Sequence, residues 1–144
     1  MEFSFRLAPR TFFLCLAVLT VAATVQSCDE HSASEAGDIA RLDEMEAEIL
    51  DYIGTPTCRG SGDCAIIAFG AKPCGGPWRY LIYSKSTVDS TTLAGMVRVH
   101  HDLNVELNRK WGWRSTCDLA RKPEVACVDG TCVDTSGTYD DVVP

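Results

Sequence analysis

Positive charge is scarce in this sequence: 13 Lys and Arg stand against 20 Asp and Glu, a net charge of −7 over 144 residues. That deficit excludes a basic nucleic-acid binder, which follows a phosphate backbone with clustered cations. Long apolar runs are missing too. The longest, Phe12 to Thr24, is well short of the roughly 20 residues a helix needs to cross a bilayer core. No Cys-x-x-Cys occurs, so the usual redox dithiol lacks its resolving cysteine. No Gly-x-Ser-x-Gly elbow and no phosphate-cradling glycine loop opening a helix occurs either, which removes the common signatures of hydrolases and nucleotide enzymes. The three histidines include one pair, His100-His101. Neighbours on a helix point about 100° apart, so this pair does not share one metal ion. The expectation is a protein that is not an enzyme, has no cofactor and holds no metal.

What is present begins at the N-terminus. Arg6 and Arg10, the short apolar run and Val25-Gln26-Ser27-Cys28 have the layout of a secretory signal peptide over residues 1–27. The tetrapeptide resembles the lipobox of bacterial lipoproteins, with aliphatic Val25, small Ser27 and a cysteine after the cut; Gln26 departs from the usual small or aliphatic residue. The resemblance implies that Cys28 carries lipid and that Asp29 acts as an inner-membrane retention signal. Plain secretion, cut at the same bond with Cys28 free or capped, is the alternative.

Cysteine parity bears on the choice. Of eight cysteines, Cys15 lies in the leader, and the remaining seven are an awkward number for an exported disulfide protein. Setting Cys28 aside as the lipid carrier leaves Cys58, Cys64, Cys74, Cys117, Cys127 and Cys132, which pair completely. Six cysteines permit 15 connectivities, and sequence does not choose among them. Disulfides require an oxidising compartment, in agreement with the leader.

Downstream, residues 28–37 read as lipidated cysteine and polar tether, 38–135 as a single cysteine-rich domain and 136–144 as a loose tail. Asp38 to Ile53 carries Ile39, Leu42, Met45, Ile49, Leu50 and Ile53 at helical spacing, with Asp38 as the expected cap and Gly54-Thr55-Pro56 as the stop. Residues 29–53 hold nine acids and one base, so the charge imbalance sits there; a solvated acidic face is the favoured reading, and a face that repels anionic lipid headgroups or meets a basic partner is the alternative. Cys64–Phe69 and Trp78–Tyr83 read as strands around a turn-rich loop, Gly70 to Pro77. A second helix begins at Asp89 or Ser90 and carries Leu93, Met96, Val97, His100, Leu103, Leu107 and Trp111 on one face, ending at Gly112. Asp129-Gly130 marks a hairpin in which Cys127 faces Cys132. Those two either bond directly or reach inward to other cysteines. The fold class is α+β: a disulfide-stapled antiparallel sheet of three or four strands, one packed helix, and the acidic amphipathic helix alongside.

Cys58-x5-Cys64, the Lys72 to Pro77 turn followed by Tyr80 and Tyr83-Ser84, and Cys127-x4-Cys132 resemble small, uncharacterised cysteine-rich domains of bacterial lipoproteins and exported proteins. This resemblance implies a fold and a compartment and brings no activity with it. Large aromatics beside cations, Lys72, Trp78, Trp111, Trp113 and Arg114, form the candidate binding surface. Core packing is the competing use of those rings. The expectation is a membrane-tethered cell-envelope module that binds an envelope or extracellular protein and no nucleic acid. An inhibitor of an exported hydrolase, acting through a disulfide-braced loop, is the alternative.

Overall fold

The computed structural model describes residues 34–137. The expected signal peptide, Cys28 and most of the tether and tail lie outside the described residues. Helix α1 spans Glu35–Ile53, strand β1 Cys64–Phe69, β2 Arg79–Ser84, helix α2 Ser90–Trp111, β3 Val125–Val128 and β4 Thr131–Asp134, with a 3₁₀ turn at Ser61–Asp63 before β1. Among the described residues no helix is long and apolar enough to cross a membrane.

The acidic helix starts one turn earlier than the sequence implies. Ser34, not Asp38, is the cap: its Oγ accepts the Gly37 amide at 3.1 Å and satisfies one of the free amides of the first turn. Asp38 is instead buried at 6% exposure. Its Oδ2 accepts hydrogen bonds from Lys110 Nζ at 2.6 Å and Trp111 Nε1 at 3.0 Å. The Lys110 hydrogen bond, helped by Trp111 and opposed by desolvation, holds the Asp38 carboxyl below its ordinary range. Glu35 accepts from Trp113 Nε1 at 2.6 Å. The acidic start of α1 thus lies against the end of α2, where Arg109 and Lys110 occupy the last turn. The start of α1 and the end of α2 each carry charges of the sign the helix dipole favours there.

Packing follows the predicted stripes in the main. Ile49 and Ile53 of α1 meet Phe69, Leu81, Tyr83, Val88, Leu93 and Val97 in one buried cluster. Leu81 and Tyr83 share one face of β2, as alternation requires. Ile39 and Leu50, expected on the apolar stripe of α1, are exposed at 42% and 43%, because that helix buries a narrower face than its apolar residues mark. On α2 the buried residues are Leu93, Val97, His100, Leu103, Asn104 and Leu107. Asp89 Oδ1 caps it by accepting the Thr92 amide at 2.7 Å, and Gly112 closes it in the left-handed conformation.

The single sheet of three or four strands is not formed. Among the described residues β1 pairs only with β2, and β3 only with β4, as two antiparallel two-stranded ribbons. The reason lies at the edge of β4. The Cys132 amide donates to Pro56 O at 2.9 Å, and Gly130 O accepts the Cys58 amide at 2.8 Å. The segment around Thr57 therefore occupies the edge that a continuous sheet would use. One bridge joins the ribbons, Cys64 of β1 to Cys132 of β4, and a second ties Cys58, in the segment before β1, to Cys127 of β3. Asp129 and Gly130 take φ of 49° and 77°, the turn expected for Asp-Gly. Cys127 and Cys132 face each other as predicted, and each reaches inward to another cysteine.

Candidate functional site

Between β1 and β2 the chain makes a loop closed by several backbone hydrogen bonds. Trp78 N–H donates to Phe69 O at 2.9 Å, Gly75 N–H to Lys72 O at 2.8 Å and Lys72 N–H to Gly76 O at 2.8 Å. Gly70 begins the loop at φ +74°, and a Cβ built there would lie 2.6 Å from Trp78 Cδ1. Trp78 therefore crosses directly over a residue that must lack a side chain.

Helix α2 grips this loop through two polar residues one turn apart. Asn104 Oδ1 accepts the Ala71 amide at 2.8 Å, and Asn108 Nδ2 donates to Ala71 O at 2.8 Å. Both backbone groups of Ala71 are thereby satisfied inside the protein. Lys72 is buried at 7% and donates from Nζ to Asp118 O at 2.9 Å and to Asp118 Oδ2 at 3.1 Å. Its ammonium also lies 5.5 Å from the centre of the Trp78 ring, within cation–π range. Hydrogen bonds from Thr116 first, then from Lys72, hold the Asp118 carboxyl below its ordinary value. The Cys74–Cys117 bridge ties the same two segments covalently.

On this frame Trp78 is 45% exposed. Beside the loop is a cleft of about 390 Å³, with Gly75, Gly76 and Pro77 on the loop side and Val97, Arg98 and His101 on α2. Small and apolar groups make up most of its lining, with Lys72, Arg98 and His101 as the charged or polar side chains. Asp102 lies next to the last two, 3.9 Å from the Arg98 guanidinium and 3.3 Å from His101 Nδ1. His100 turns the other way: its ring stacks on Phe69 at 4.3 Å between centroids, inside the core. Burial pushes the His100 pKa down, so the ring is neutral near pH 7. Adjacent in sequence and about 100° apart on the helix, the two histidines serve different surroundings: His100 the core and His101 the cleft.

The residues picked out by composition fall into two places. Lys72 and Trp78 belong to the braced loop, Trp78 on its surface and Lys72 beneath. Trp111 and Trp113 are half-buried at the end of α2 with their indole N–H groups bonded to Asp38 and Glu35 of α1; Arg114 beside them is exposed. Asn104, Asn108 and Asp118 escaped notice. The Asn104-x-x-x-Asn108 spacing on an otherwise apolar face was the available signal, since a polar pair on a buried stripe must find partners. Comparison with protein families, curated proteins and solved structures finds no match for this chain.

Proposed function

We propose that the protein is a lipid-anchored binding module of the cell envelope, without catalytic activity, that engages an envelope or extracellular protein through the exposed Trp78 of the braced loop. The observation that carries this reading is the exposed Trp78 on a loop held at Ala71, Lys72 and Cys74 by three separate devices. A large ring fixed in advance loses little freedom on binding, so more of its contact energy appears as affinity. Three disulfides accord with export to an oxidising compartment, and the lipobox-like Val25 to Cys28 supports a membrane tether at Cys28.

The test compares capture of envelope proteins by the wild-type chain and by Trp78→Ala, with intact mass of the membrane-extracted protein alongside. The expected result is a partner retained by the wild type and lost by about tenfold or more with Trp78→Ala, the size of a typical aromatic anchor. The intact mass is expected to show a lipid addition on a chain starting at Cys28. Equal capture by both chains would contradict the surface assignment, and an unlipidated chain in the medium would contradict the anchor.

A second reading rests on the Cys74–Cys117 bridge at the base of the loop. A covalently braced loop is the form a rigid inhibitor takes, with an exported hydrolase as its target. Loss of activity in a captured hydrolase, restored with Trp78→Ala, distinguishes this reading from simple docking.

A further inference from the structure

Two of the three bridges lie side by side. The Sγ atoms of Cys58, Cys64 and Cys132 are all within 4.8 Å of one another, although Cys58 is bonded to Cys127 and Cys64 to Cys132. Backbone pairing brings Cys58 and Cys132 together independently of the sulfurs, through the hydrogen bonds of their amides to Gly130 O and Pro56 O; Cys64 reaches them through its bridge to Cys132. The two bridges differ in access. Cys64 and Cys132 are 8% and 4% exposed, whereas Cys58 and Cys127 are both half-buried and Cys127 leads into the exposed turn at Val128 to Gly130.

We infer that these two bridges form one thiol–disulfide exchange site, entered at Cys127 by an external dithiol and passing inward through Cys58. A thiolate of the dithiol attacks Cys127 Sγ; the Cys58–Cys127 bond breaks, and Cys58 leaves with the electron pair as a thiolate. That thiolate is formed beside the buried bridge. An approach of little more than 1 Å brings it to the near-attack separation of about 3.5 Å. It bonds one of the two sulfurs, Cys64 or Cys132, and expels the other as a thiolate. The second thiol of the dithiol then attacks its own partner sulfur in the mixed disulfide, closing the dithiol to a disulfide and freeing Cys127. One dithiol is oxidised, one of the two bridges is reduced, and two electrons are transferred. The buried bridge, shielded from direct attack, becomes reachable through the outer one. The inference stands apart from the binding surface and from the lipid anchor.

The decisive variant is Cys127→Ser in the full-length chain, which leaves Cys58 as a thiol beside Cys64–Cys132. After incubation near the free-thiol pKa of about 8.5, alkylation and peptide mass mapping are expected to find Cys58 bonded to Cys64 or Cys132. Cys58 found solely alkylated, with Cys64–Cys132 intact, overturns the proposal. The native chain gives a second measurement that does not depend on the variant folding. Under limiting dithiothreitol, its first rearranged species is expected to carry the same Cys58 bond. With Cys58→Ser/Cys127→Ser, reduction of Cys64–Cys132 is expected to slow by about tenfold or more relative to Cys74–Cys117, because the intramolecular attacker is gone. Unchanged relative rates, or rearranged species without a Cys58 bond, overturn it.

Discussion

The two ribbons are built alike and held differently. β1 and β2 lie over Ile49, Ile53, Leu93 and Val97 and bury Phe69, Leu81 and Tyr83 among them. β3 and β4 bury one residue, Cys132; Val125, Ala126 and Val133 are half-buried and Val128 is 45% exposed. An isolated hairpin is marginal in water at best. The second ribbon persists because Cys127 and Cys132 are bonded into the first half of the chain and Pro56 to Cys58 laces its edge. Apolar burial holds one half of the molecule and sulfur the other. A domain of this size buries a modest share of its surface, and crosslinks supply the order that burial lacks. The loop carrying Trp78 belongs to both regimes, gripped by α2 through Asn104 and Asn108 and by the Cys74–Cys117 bridge.

The contrast breaks most visibly on the burial side. Leu93 is fully buried, and Leu93→Ala is expected to cost about 2–5 kcal/mol, the range for deleting a core leucine. Denaturant unfolding checks this, and a loss under about 1 kcal/mol would mean the core closes around the gap. On the sulfur side, Cys64→Ala/Cys132→Ala is expected to cost about 2–4 kcal/mol. Its signature is local: amides of β3 and β4 lose hydrogen-exchange protection while those of α2 keep it. At the loop, Gly70→Ala places a methyl group against Trp78 at a positive φ and is expected to cost about 1–3 kcal/mol. The change should show as a shifted Trp78 environment in near-UV circular dichroism and as weaker partner capture.

The smallest effect is a pH dependence. Burial depresses the His100 pKa, with Glu46 opposing the shift and His101 and Arg79 reinforcing it. A base with a depressed folded pKa binds fewer protons folded than unfolded. Its effect on stability is nil above the unfolded value of 6.5, and stability is lost as pH falls from there toward the folded pKa. Melting temperature is expected to drop between pH 7 and 5, and His100→Asn to flatten that slope. An unchanged slope would place the responsible group elsewhere. Asp38, held down by Lys110, acts in the same direction at lower pH: its contribution is present above the unfolded value of 3.8 and is lost as pH falls through the folded pKa.

Much of the fold is written locally. The 3.6-residue stripe from Leu93 to Trp111, the cap at Asp89 and the stop at Gly112 define α2 without help from the rest of the chain, and Asp129-Gly130 defines the hairpin register. What local pattern does not contain is partnership at a distance. Asp38 looks like a cap in sequence and becomes a buried acceptor because Lys110 and Trp111 arrive from 72 and 73 residues away. The edge of β4 is taken by Pro56 to Cys58, a segment with no strand signal. Six cysteines with 15 possible pairings resolve into three bridges that depend on how the ribbons meet. The site shows the same division. The turn from Gly70 to Trp78 is legible from its glycines, prolines and tryptophan, whereas its grip by Asn104, Asn108 and Asp118 is tertiary.

The most direct test of this division is hydrogen exchange on the oxidised protein and on the same protein with its disulfides reduced and alkylated. Reduction is expected to remove protection from β3 and β4 first and most completely. β1, β2 and α2 should retain protected amides under conditions that still favour the native core. Loss of protection in both ribbons together, or a second ribbon still protected after reduction, would contradict the claim that sulfur holds one half and burial the other.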